Sequence, residues 1–494
     1  MKLCALVVLP AFLFGQLPPN PTKLSSAMPA DAPPVPKFDG GNFIDVQRKF
    51  DIFAWQEFVA ANWPPGQPGQ PGPGTIGNFP GGDNPTVWET YMADSQVFQP
   101  GAKPPSPWGT PQPIPSFCPA PPPALKAQVR KVFALVAKSD LQDEFLEAFT
   151  PYPLFDVNGN YTRYEIRMNQ AEFNQILAGT PGTPGIVRPW YNPANQIAPI
   201  VFPAGVYNTN QIGAMEFKAA WRPITDAEKP RYHSSYSYVT YAPDPKTGMN
   251  TKCAGPYLMG LVGLHIAHKT TSAPQWVWAT FEHVDNDPDA QSTGSGKKYS
   301  YYNNPKCTFS PACADLPPSG STTQWDGDPT KKFPPVQVIR ATPIPSAKND
   351  PKTGINPVFQ QLLRAVNPAS VWQYYQLVDT QWPQRPGTVQ NPNQCYHTTP
   401  LSTPINFACS GPKGDQGPGP VPGQLTNTTA ETYFQAAPGN KQAYMGSCMG
   451  CHSNATVASG APNPNVYSDF SFLMGEAQPV SKAPNPPRVR RKKP

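Results

Sequence analysis

The stretch that decides the fold is Tyr257–His283, "YLMGLVGLHIAHKTTSAPQWVWATFEH". Two runs rich in β-branched and aromatic residues flank Lys269–Pro274, a polar connection short enough for a hairpin. In a strand, side chains alternate between faces, so His265 and His268, three apart, must point to opposite sides. Similar runs occur at Ala214–Trp221 ("AMEFKAAW"), Tyr232–Tyr241 ("YHSSYSYVTY") and Val336–Thr342 ("VQVIRAT"), each bounded by polar, Gly or Pro residues. Asn158-Gly159 between alternating runs in "PLFDVNGNYTRYEIRMN" is the strongest short hairpin signal. The expected fold is mainly β with peripheral helices (α+β): an antiparallel sheet or barrel body with long Pro/Gly-rich loops and a C-terminal haem-attachment segment.

Composition points the same way. Of 494 residues 70 are proline and 38 glycine, which limits both long helices and central strands. Helical spacing is confined to Val46–Asn62 ("VQRKFDIFAWQEFVAAN", stopped by Trp63-Pro64-Pro65), to 124–149 and to 356–366. The segment 370–382, "SVWQYYQLVDTQW", fits helix or strand. The chain divides into a signal peptide (1–15), a Pro/Gly-rich region with one helix (16–123), a helical then mainly β body (124–410), a haem c segment packed on that body (411–476) and a disordered basic tail (477–494).

Met1-Lys2, the apolar run Leu3–Gly15 and a Pro-rich exit read as a secretory signal, too short to span a bilayer. The chain is therefore expected to be exported, to the periplasm or the extracellular face of the cell envelope. The net charge of +6 is modest and part of it lies in Arg488–Lys493. Nucleic acid is not an expected partner, and envelope association is left open. Of nine cysteines, Cys4 leaves with the signal and two belong to the motif below, so six remain for disulfides. Cys307–Cys313 and Cys395–Cys409 are the near pairs, leaving Cys118–Cys253, although six cysteines allow 15 pairings.

Cys448-Met449-Gly450-Cys451-His452 is C-x-x-C-H, the c-type haem attachment pattern. Two thiols can add to the haem vinyl groups, and the adjacent His supplies the proximal iron ligand. One covalent haem c is expected on Cys448, Cys451 and His452. A thioredoxin-like C-x-x-C would follow a strand in a βαβ setting, and a zinc site would need a second ligand pair; neither is visible. P-loop, G-x-S-x-G, H-E-x-x-H and EF-hand patterns are absent, and the acid-rich Asp285–Asp289 lacks calcium-loop spacing and reads as a turn.

Only 42 residues follow His452, so the haem must be covered by chain that precedes it. The candidates for a distal ligand are Met474, Met445, His265, His268 and His283. A cluster of His265 or His268 with Glu282 or His283 across neighbouring strands would be an alternative metal or distal site. His233 and His397 are expected at the surface, and Lys218 as a solvated strand lysine.

"CMGCHSNA" followed by "SDFSFLMGEA" near the chain end, after a β-rich body, resembles the cytochrome P-460 and cytochrome c′-β group. Here the gap before Asp469-Phe470-Ser471-Phe472 is longer and the chain is more than twice the usual size. More broadly, the chain is similar to large single-haem cytochrome c proteins of bacterial envelopes. These resemblances imply haem binding, and the expected function is electron transfer to redox partner proteins, with a haem enzyme or small-ligand binder with an open distal site as the alternative. A third expectation, from the many Trp and Tyr, is a glycan- or polymer-binding envelope protein.

Overall fold

A computed structural model describes residues 19–34, 42–77, 85–133, 152–179, 187–243, 250–290, 295–308, 313–320, 325–386, 419–435 and 447–479, with positions 146, 147, 150, 292 and 293 between them. Around one largely antiparallel sheet of strands β1 (Met92–Ala93), β2 (Val129–Phe133), β3 (Arg163–Met168), β4 (Met215–Pro223), β5 (Ser234–Pro243), β6 (Asn250–His268), β7 (Val277–His283), β8 (Tyr375–Pro383) and β9 (Pro420–Val421) lie short helices. These are α1 (Phe43–Ala61), α2 (Asp94–Val97), α3 (Gln170–Ala178), α4 (Ser346–Asn349), α5 (Ile355–Val366) and α6 (Cys448–His452).

The opening stretch is the hub. The 19-residue β6 pairs with β4 from Met259 to His268, with β5 from Asn250 to Gly260, and with β7 from Gly263 to His268. Since β4 overlaps both of the others, it holds one edge of β6 while β5 and β7 share the opposite edge end to end. The sheet continues from β4 through β3 to β1, and from β7 through β8 to β9.

The alternation of the strands sorts side chains into two layers. Phe217, Ala219, Leu264, Ile266, Ala279 and Phe281 face α1 and α5, where Trp55, Phe58, Ile355 and Phe359 complete a core. Phe58 stacks on Phe281 with ring centroids 4.3 Å apart; fully burying such a ring contributes about 1.5–3 kcal/mol. Helix α1 ends where Asn62 donates its side-chain amide back to the Phe58 carbonyl at 2.8 Å, just before the two prolines. The opposite sheet face carries Glu216, Lys218, His265, Ala267, Trp278 and Thr280, and the C-terminal segment packs there.

Two expectations change and one ambiguity is resolved. Residues 129–133 form a strand rather than a helix, parallel to β5. Val129 and Val132 pack on Tyr238 beside the Cys118–Cys253 disulfide, and Lys131 joins Glu89 and Glu165 in a buried ion cluster; these long-range contacts override local helix propensity. Residues 336–342 are extended but form no ladder, apart from a bridge at Arg340. Flanked by prolines, their N–H groups at Val336, Val338 and Arg340 go instead to loop carbonyls of Phe155, Tyr301 and Pro288. The ambiguous 370–382 segment resolves into a 3-10 turn, Val371–Tyr374, followed by β8.

The Asn158-Gly159 turn is present. Asp156 Oδ1 accepts from the N–H groups of Asn158 and Asn160, each at 2.9 Å, and Gly159 has φ +71°. Disulfides join Cys118 to Cys253 and Cys307 to Cys313; Cys395, Cys409 and His397 lie outside the described residues, as do the expected signal peptide and the tail beyond residue 479, whereas Ala477, at the expected start of the disordered tail, is buried in the apolar layer with Met474. Among the described residues no helix is long and apolar enough to cross a membrane.

Candidate functional site

The cavity floor is built from two cross-strand rows. Ile166, Lys218, His265 and Thr280 stand opposite one another across β3, β4, β6 and β7; Met168, Glu216, Ala267, Trp278 and Gln381 form the next row, extended into β8. Above these rows lie α6 and the 3-10 turn Phe472–Glu476, and the loop Leu425–Phe434 closes one side. The space among these residues, counted with the part open to solvent, is about 900 Å³.

Helix α6 is the C-x-x-C-H motif itself. Ser447 caps it, accepting from Gly450 N–H at 3.2 Å, and Gln381 Oε1 accepts the Met449 N–H at 2.8 Å, tying the motif to β8. One helical turn puts Cys448 and Cys451 on the same side, and both line the cavity as unpaired thiols. Burial pushes the Cys451 thiol up to about 12 and that of Cys448 well above its usual value. A dithiol redox motif would have a lowered value, so the thioredoxin reading finds no support here.

His452 also lines the cavity. Its Nδ1 donates to the Phe470 carbonyl at 2.8 Å, which fixes the tautomer and leaves Nε2 as the free nitrogen. Burial pushes this imidazole down to about 4, so at neutral pH it is uncharged and its lone pair is available. Trp278 lies 4.4 Å and Phe472 5.0 Å from the ring, centroid to centroid. The Phe470 carbonyl is aimed by an unusual turn, with Asp469 at φ +56° and Phe470 at φ +67°. Asp469 holds that turn: it is fully buried, ion-paired with the equally buried Lys269, and accepts the Phe202 N–H at 2.6 Å.

A charged trio shares the cavity. Glu431 meets His265 Nε2 at 3.1 Å and Lys218 Nζ at 3.6 Å, while Thr280 bonds His265 Nδ1. Burial alone would raise the Glu431 carboxyl, but His265 and Lys218, with the Asn427 backbone, bring it down to about 2. Its loop sits close over the sheet because residue 263 is glycine: a Cβ there would overlap Thr429 Oγ1 and stand 2.8 Å from Asn427 Oδ1.

Of the distal candidates, His265 reaches the cavity. His268 faces α1 instead, bonded to Glu57 and pushed down to about 3 by burial; strand parity separates it from His265, as expected. His283 also points away, stacked 3.8 Å from Tyr232, with Nε2 on the Arg231 carbonyl at 3.0 Å. Glu282 is held by Arg340 and the Thr428 N–H, so the expected cluster with Glu282 and His283 does not form. Met474 is buried in the apolar layer behind the 3-10 turn and does not line the cavity. Met445 lies outside the described residues.

Two other expectations are corrected. Lys218 is not a solvated lysine, because its row faces the covered side of the sheet. His233 is buried rather than superficial, with Nε2 at 2.8 Å from Glu89 and its ring 4.7 Å from that of Trp372. Sequence reasoning missed Glu431, Glu216 and Trp278. The last two lie two residues from Lys218 and Thr280, a spacing that would have revealed them once the covered face was known.

The residues present fit a covalent haem: two free thiols one turn apart, a neutral imidazole with a free nitrogen and a largely apolar cavity. Among the described residues no group of three or more His, Cys, Asp or Glu converges to hold a bare metal ion. Compared with known protein families, curated proteins and solved structures, the chain matches none.

Proposed function

We propose that this chain is an exported c-type haem protein whose cavity binds one covalent haem and serves a redox reaction of a small ligand. The observation that carries the reading is the His452–Phe470 hydrogen bond beside two unpaired thiols. It prepares Nε2 for iron and orients the ring as metal-binding histidines require. Cys448 and Cys451 would hold the haem, which supplies a one-electron iron centre when bound. The two disulfides support export, because they persist in oxidising compartments.

A ligand-handling role is favoured over simple electron relay by the remaining polar groups. His265 has both ring nitrogens engaged, and Lys218 with Glu431 forms an ion pair in the same cavity. Such a trio can hold a small polar ligand and position a proton beside it. The second reading, an electron carrier handing single electrons to redox partner proteins, rests on His265 itself: releasing Glu431 would free its Nε2 as a sixth ligand.

Optical spectra of ferrous protein with and without carbon monoxide separate the two. A high-spin spectrum that shifts on carbon monoxide supports the ligand-handling role. A low-spin, insensitive spectrum refutes it in favour of the carrier.

A further inference from the structure

Behind the cavity lies a pair of carboxyls that the proposed chemistry does not use. Glu172 of α3 is fully buried, and Glu216 of β4 is 9% exposed and lines the cavity. Neither oxygen of Glu172 has a hydrogen-bond donor, nor does Oε1 of Glu216, and each carboxyl has the other as its side-chain neighbour. Two neighbouring buried carboxylates repel strongly, and a buried acceptor without a donor has given up its hydrogen bond to water for nothing. One proton between them relieves the repulsion and gives one oxygen of each carboxyl a partner, because a protonated carboxyl donates to the other.

The surrounding charges leave that proton in place. Asp469, in the turn above, adds a further negative charge to the pair, and its own cation, Lys269, is already engaged. Ser471 is the polar neighbour of Glu216 from the same turn. The cavity's other ionisable groups are Lys218, His265, Glu431, Cys448, Cys451, Glu476 and His452; Lys218 and His265 are paired with Glu431 rather than with Glu216.

We propose that Glu172 and Glu216 share one proton at the cavity wall and take up a second from solvent when the haem gains an electron, so that electron uptake is coupled to proton uptake. The proposal rests on the haem reading. An external reductant delivers one electron to the iron, solvent delivers the second proton to the carboxylate still ionised in the pair, and the net charge of the site is unchanged. Reoxidation reverses both transfers. Burial pushes Glu216 up to about 7 and Glu172 well above its usual value. The window for this exchange therefore lies around neutral pH, where such a pair titrates as one unit.

The test is spectroelectrochemical titration of the haem-loaded protein from acid to alkaline pH, on wild type, Glu172→Gln and Glu216→Gln. In wild type the redox equilibrium should shift towards the oxidised form by up to tenfold per pH unit near neutrality, equivalent to about 59 mV for a one-electron couple. Both variants should lose at least half of that slope. Reduced-minus-oxidised infrared spectra should contain a protonated-carboxyl band that disappears in Glu172→Gln, a signature that a merely structural role would not produce. A potential independent of pH, or a slope unchanged in both variants, overturns the coupling. A chain without haem is recognised beforehand by its missing visible spectrum and overturns the haem reading with it.

Discussion

Replacing Asp469 with Ala should be among the most damaging single changes near the site. Asp469 and Lys269 are both fully buried, and the carboxylate also accepts the Phe202 N–H. Truncation leaves an ammonium in a dry interior, and breaking a buried pair from one side costs about 3–5 kcal/mol. Burial raises the Asp469 carboxyl to about 6 in spite of Lys269, so it is ionised at neutral pH and its charge is lost in the variant. Removing both charges should hurt much less: Asp469→Leu with Lys269→Met replaces the pair by apolar bulk and should recover most of the loss. Urea unfolding at neutral pH measures this, through a lowered midpoint at unchanged slope. The turn that aims the Phe470 carbonyl is anchored by the same residue, so the fraction of chains carrying haem should fall in Asp469→Ala. A loss below about 1 kcal/mol, or a double variant no more stable than the single one, would refute the reasoning.

Gly263→Ala should cost about 1–3 kcal/mol by overpacking, since its methyl would collide with Thr429 and Asn427; urea unfolding checks this, and a neutral result would contradict the docking of the 425–434 loop. Removing Cys118 and Cys253 together opens a link across a sequence separation of 135; loop entropy puts the loss at up to about 5 kcal/mol, read as the difference in unfolding free energy with and without the pair. Glu431, held at about 2 in the folded chain against an ordinary 4.5, contributes stability that is present above about pH 4.5 and is lost as pH falls towards 2. At about 1.4 kcal/mol per pH unit this is about 3 kcal/mol. The gap between wild type and Glu431→Gln in acid unfolding should close over that range, and a constant gap would contradict the assignment.

The sheet was legible where alternation was strong. β6 and β7 announce themselves because Leu264 and Ile266 alternate with His265 and Ala267, and because the connection after Lys269 is short. The same alternation separates His265 from His268 without structural information. It does not say which face is covered, which is why Lys218 reads as solvated and Glu216 goes unnoticed. Glu431 is harder still: its partner His265 is 166 residues away, and nothing local in "NTTAET" marks a cavity residue. In β2, helix-forming neighbours masked a strand whose reasons are all long-range, from Lys131 with Glu89 and Glu165 to the disulfide beneath Tyr238. The C-x-x-C-H motif was legible from its spacing, but its folding into a helix was not. The carbonyl that orients His452 was not, since it depends on two consecutive residues at positive φ.

The most direct test is the intact mass of the denatured protein, purified after expression with a c-type haem attachment system, for wild type and for Cys448→Ala with Cys451→Ala. The account predicts one haem per chain that survives denaturation in wild type and is absent from the double variant. A wild-type chain of unmodified mass would contradict it.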